Sequence, residues 1–106
     1  MLQKVKTLTN HVQTIQRVSH QPVGVSWAHD AIHEATLEVE RIAPSDLVAM
    51  YARQVRDELK GLDAVPGIAS RRIYETPVGE KIALLERHVA FLQEQSALEG
   101  DGVRTR

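Results

Sequence analysis

The sequence predicts an all-α protein: a small four-helix bundle-like single domain with a short extra helical turn between the third and fourth helices. Three observations predict it. Apolar side chains recur at spacings of four and three residues along four segments, which is the period of one helical face. The period-two alternation of a half-buried strand is absent. The apolar share of 42% includes only 4% aromatic residues, so the core must be aliphatic, a composition suited to helix packing. A chain of 106 residues makes one domain, large enough to bury roughly two thirds of the surface its unfolded form exposes.

The first helix follows from Met1, Val5, Leu8, Val12 and Ile15, whose 4, 3, 4, 3 spacing puts them on one stripe. Pro22 and Gly24 interrupt it, and Ser26 is placed to cap a second helix by accepting an orphan backbone N–H. That helix carries Ala28, Ile32, Ala35, Val39 and Ile42 and stops at Pro44. Ser45 and Asp46 then supply a cap and a first-turn carboxylate for a third helix, with Val48, Tyr51, Val55, Leu59 and Leu62 on its stripe. Gly61 stands where a left-handed C-terminal cap is expected. In "GLDAVPGIASRRIYE", Pro66 and Gly67 force a turn, and residues 68–74 suit a short helix.

The fourth helix opens at Thr76 as cap with Pro77 in the first helical position, where proline's missing N–H costs nothing. Its stripe is Val78, Ile82, Leu85, Val89 and Leu92, and Leu84, Phe91 and Leu98 form a second row every seven residues. So wide an apolar face marks the fourth helix as the expected central one, or one that also meets another subunit. The helical domain is expected over residues 1–98, with 99–106 a disordered tail, since "EGDGVRTR" has no apolar pattern. No internal repeat is present.

Composition excludes several functions. With no cysteine, there is no disulfide framework, thiolate zinc site or cysteine nucleophile, and the absence fits a reducing compartment. No apolar run approaches the roughly 18 residues of a membrane span, and "MLQKVKTLTNHVQ" alternates polar and apolar residues where a secretory signal needs an apolar core. A cytoplasmic protein without membrane contact is expected. Net charge is −1, divided as +3 over residues 1–29, from Lys4, Lys6 and Arg17 with no acid, and −4 over the rest. The basic, acid-free start has one arginine where mitochondrial targeting helices favour several, and it reads as an ordinary first helix balanced by acids on its neighbours.

Two motifs bear on chemistry. His29, Asp30 and His33 form H-D-x-x-H, one methylene short of the H-E-x-x-H of helical zinc peptidases, and histidines at i and i+4 share a helical face. No third ligand is marked out, since Val39 stands ten residues after His29. The adjacent His29 and Asp30 also resemble the doublet of the HD phosphohydrolases. That resemblance implies an all-helical fold and a metal site completed by an upstream histidine, His11 or His20, and a downstream aspartate, Asp57 or Asp63. It covers two adjacent residues. Our reading of the motif is a polar flank beside the Ala28 to Ile42 stripe, with no metal and no cofactor.

In the second motif, Ser70, Arg71 and Arg72 follow a glycine-containing turn as in a helix-turn-helix recognition helix, and Arg53, Arg56 and Lys60 on the preceding helix could touch phosphates. A mildly acidic chain argues against nucleic acid as the main partner. No nucleophile elbow or glycine-rich phosphate loop is present.

The sequence therefore reads as a non-enzymatic helical interaction protein, adaptor-like or inhibitor-like, that self-associates, most simply as a dimer. Val5, Leu8, Val12 and Ile15 with Leu84, Phe91 and Leu98 are the expected interface. The first stripe is as narrow as a coiled-coil seam but only two heptads long, so it must pack on the other helices, another copy or a partner. The alternative is a DNA-binding accessory protein using residues 68–74 with Arg53, Arg56, Arg71 and Arg72; the HD-type phosphohydrolase ranks below it.

Overall fold

The computed structural model describes the backbone of residues 2–62 and 65–104 and the side chains of 5–62 and 65–97. Four helices, α1 (Leu2–Val18), α2 (Ser26–Ile42), α3 (Asp46–Gly61) and α4 (Pro77–Arg104), are joined in order, with two 3-10 turns, Ile68–Ser70 and Ile73–Glu75, before α4. Packing runs α1 on α2, α2 on α3, α3 on α4 and α4 back on α1. Each helix thus lies chiefly between two neighbours in a closed ring, and α4 is not the central helix its wide apolar face suggested.

The four stripes fill one core. Val5, Leu8, Val12 and Ile15 from α1 are buried together with Ile32 and Val39 from α2, Val48 and Val55 from α3, and Val78, Ile82, Leu85 and Val89 from α4. Of the three coverings open to the α1 stripe, the structure provides the chain's own helices. The polar groups that enter the core bond locally: Thr36 donates to His33 O at 2.7 Å and Thr76 to Ile73 O at 2.6 Å, as buried hydroxyls must.

Helix ends follow the expected caps in two places and depart in two. Ser45 accepts from Val48 N at 3.4 Å, and Thr76 Oγ1 accepts from Val78 N at 3.2 Å with Pro77 opening α4. Ser26, expected as a cap, is instead the first residue of α2; extended Val25 precedes it, and Ala28 N closes onto Val25 O at 3.1 Å. Gly61 is not left-handed. The chain stays right-handed through Leu62, whose buried side chain holds it against the core, and the reversal falls at Gly67, with φ of 72°.

The α1–α2 and α3–α4 connections lie at the same end of the bundle and are tied by backbone hydrogen bonds. Val23 N donates to Arg71 O (2.8 Å), Gly24 N to Ala69 O (3.0 Å), Ile73 N to Gln21 O (3.1 Å) and Tyr74 N to Ser19 O (3.0 Å). Pro22 and Arg72 form an antiparallel bridge. This tie breaks the 68–74 segment into two 3-10 turns, because Arg71 and Arg72 must be extended to reach the other connection. Ile73 is fully buried beneath it.

Gly79 is required where α4 leaves this tie. A Cβ built there would lie 1.8 Å from Tyr74 O, whereas one built at Gly61 meets nothing within 4 Å. Gly79→Ala is therefore expected to destabilise the protein by about 2 kcal/mol or more, while Gly61→Ala raises stability by about 0.5 kcal/mol through helix propensity. Thermal and urea unfolding monitored by circular dichroism measure both; equal effects at the two positions would contradict the close approach.

Candidate functional site

His29, Asp30 and His33 on α2 face an open cleft of about 290 Å³ shared with Arg56, Leu59 and Lys60 of α3. The antiparallel run of the two helices produces it, setting the first turns of α2 beside the last turns of α3. The sequence placed Leu59 on the α3 stripe and Lys60 with the α3 arginines, but did not join either to the histidines, and their place here depends wholly on that pairing.

Within the cleft the histidines are not equivalent. His29 Nε2 bonds the carbonyl of Val23, which makes that nitrogen the protonated donor and ties the first turn of α2 to the α1–α2 connection. That bond leaves Nδ1 of His29 as its one nitrogen open to another partner. Among the described residues no group of three or more His, Cys, Asp or Glu is placed to hold a metal ion. The groups named for an HD-type site are dispersed. His11 is on α1; His20 packs its ring on Tyr74 at 4.9 Å; Asp57 is exposed on α3; and Asp63 lies outside the described residues.

Of the four arginines named for nucleic acid, Arg53, Arg56 and Arg72 are engaged separately. Glu40 on α2 takes Arg56 Nη1 at 2.8 Å and Arg53 Nη2 at 3.1 Å. Arg56 Nη1 is buried, and its contact is an ion pair whose angles fall short of a hydrogen bond. Arg56 holds the Glu40 carboxyl below the usual carboxylate range against the opposing effect of burial, and Arg53 adds a smaller lowering. Arg72 donates to His20 O across the tied connections. Arg71 and Arg72 are exposed but stand on extended backbone, so the segment presents no recognition helix.

The third region is the outer side of the α3–α4 seam. Tyr51 meets His88 edge-on at 5.8 Å, and His88 stacks on Phe91 at 6.1 Å. Phe91 is nevertheless 51% exposed and Leu84, two turns earlier, 37%. Leu47 and Met50 on α3 are exposed as well, with Leu47 one turn from Tyr51 on the same side of its helix. The side chain of Leu98 lies outside the described residues. Thus the seven-residue row read from the sequence stands outside the core wherever it is described, while Val5, Leu8, Val12 and Ile15 are inside it. Among the described residues, no helix is long and apolar enough to cross a membrane.

Glu86, on α4, gave no signal in the sequence. Burial alone pushes its carboxyl above the ordinary value, so folding favours its protonated form. Stability linked to this group is fully present below the unfolded pKa and is lost as pH rises through the folded one. Glu86→Gln is expected to raise the unfolding midpoint at pH 7, with the gain vanishing as pH falls below the carboxylate range; a gain independent of pH would contradict it. For the cleft, His29→Ala should cost about 1 kcal/mol through the Val23 bond and His33→Ala less. Calorimetric titration with zinc should show only weak binding, and submicromolar binding lost in both variants would reverse this reading.

Compared with protein-family models, with curated proteins and with solved structures, the chain matches none.

Proposed function

We propose that this chain is a non-enzymatic helical interaction protein that self-associates as a two-fold dimer through the outer face of α4. One observation carries the reading: Leu84 and Phe91 are exposed on a helix whose core stripe is already complete with Val78, Ile82, Leu85 and Val89. A side chain of either type contributes roughly 1.5–3 kcal/mol when it passes from full exposure to full burial. Both are already partly covered, so the four in a dimer supply about 4 kcal/mol. A Kd of 1 mM already needs about 4 kcal/mol net and association carries its own cost, so Leu84 and Phe91 by themselves support only a weak contact, and the rest of the outer face of α4 must contribute to it. Weak, reversible pairing suits an adaptor-like or inhibitor-like protein whose surface is shared between its own copy and other chains.

Sedimentation equilibrium between 10 µM and 1 mM tests it. The wild type should shift from monomer to dimer over that range. Leu84→Glu combined with Phe91→Glu should stay monomeric while keeping its helical circular dichroism, because neither side chain belongs to the core. A wild type that is monomeric at 1 mM overturns the proposal.

A further inference from the structure

The charges beside the exposed row suggest how two copies would meet. Arg87 precedes Phe91 by four residues and Glu94 follows it by three, so all three stand on one side of α4. Both charged side chains are exposed, and neither takes part in an ion pair among the described residues, where the pairs are Arg41–Glu38, Arg53–Glu40 and Arg56–Glu40. On a helix meeting its own copy, this arrangement is self-complementary in one direction only. In a parallel pair, Arg87 faces Arg87 and Glu94 faces Glu94. In an antiparallel pair with the two Phe91 rings opposite each other, each Arg87 falls within one residue, roughly 1.5 Å along the axis, of the partner's Glu94.

We infer that α4 pairs with a second copy of itself in antiparallel orientation about Phe91, with two symmetric Arg87–Glu94 ion pairs flanking the ring contact. This rests on the reading of α4 as the self-association face and adds its direction and register. His88 strengthens the arrangement: by stacking on Phe91 from the α3 side, it restrains the ring in an outward position. The register also places Leu84 opposite position 98 of the partner, a leucine, so the three apolar positions of the row pair among themselves.

Charge reversal tests direction and register together. Dissociation constants are measured by sedimentation equilibrium for the wild type, Arg87→Glu, Glu94→Arg and the double reversal, with Arg87→Gln and Glu94→Gln as milder variants. Helical circular dichroism checks each fold. Either single reversal should weaken the dimer at least fivefold, the Gln variants should weaken it less, and the double reversal should restore it to within twofold of the wild type. Unchanged constants in the single reversals, or a double reversal no better than its parents, overturn the antiparallel register and leave α4 self-association standing. A wild type with no dimer at 1 mM removes both.

Discussion

The tie between the α1–α2 and α3–α4 connections is the constraint on which the bundle depends. Four amphipathic helices with short links can close in more than one arrangement, and core burial alone is non-directional. Backbone hydrogen bonds are directional, and a buried N–H without a partner is costly. The bond from Tyr74 N to Ser19 O joins the residue after α1 to a residue just before α4, so it fixes those helices as neighbours and sets their register. Val23, Gly24 and Ile73 extend the same seam. From that fixed end, the four stripes run down the bundle in phase, and Gly79 lets α4 leave the tie against the carbonyl of Tyr74.

The same constraint gives the most enzyme-like motif of the chain a structural role. His29 lies in the first turn of α2, and its Nε2 holds the carbonyl of Val23, the residue whose N–H bonds Arg71 O. It therefore extends the tie onto the helix. Asp30 and His33 share the cleft with Arg56 and Lys60, but Arg56 is turned to Glu40 further down α2. The α2–α3 interface is held by this buried-edge ion pair, while the cleft remains an open polar groove between the helices.

Much of the fold was legible because the core stripes are local patterns. Ala28, Ile32, Val39, Val48, Val55, Val78, Ile82 and Leu85 were all identified by spacing and all are buried. Caps at Ser45 and Thr76 were legible because they depend on a hydroxyl and its own next turn. What was not legible depends on contacts distant in sequence. Residues 68–74 look helical until the α1–α2 connection takes their hydrogen bonds, and Gly61 resembles a cap until Leu62 is seen in the core. The cleft was only half visible, since His29 and His33 stand out while Leu59 and Lys60 join them only through antiparallel packing. Heptad spacing on α1 and α4 suggested two surfaces of one kind; only the structure separates them, because spacing shows that a face is apolar and does not show which neighbour covers it.

The α1 stripe is satisfied inside the chain, and the outer row of α4 is left exposed, where we propose that a second copy binds. Resonance-by-resonance NMR of the wild type over a range of protein concentrations distinguishes the two faces. As concentration rises from about 20 µM to 1 mM, shift changes are expected at the Leu84 methyls, the Phe91 ring and the Arg87 and Glu94 amides. The methyls of Val5, Leu8, Val12 and Ile15 should stay fixed. Changes centred on the α1 stripe or on the α2–α3 cleft, with α4 unmoved, would contradict this proposal.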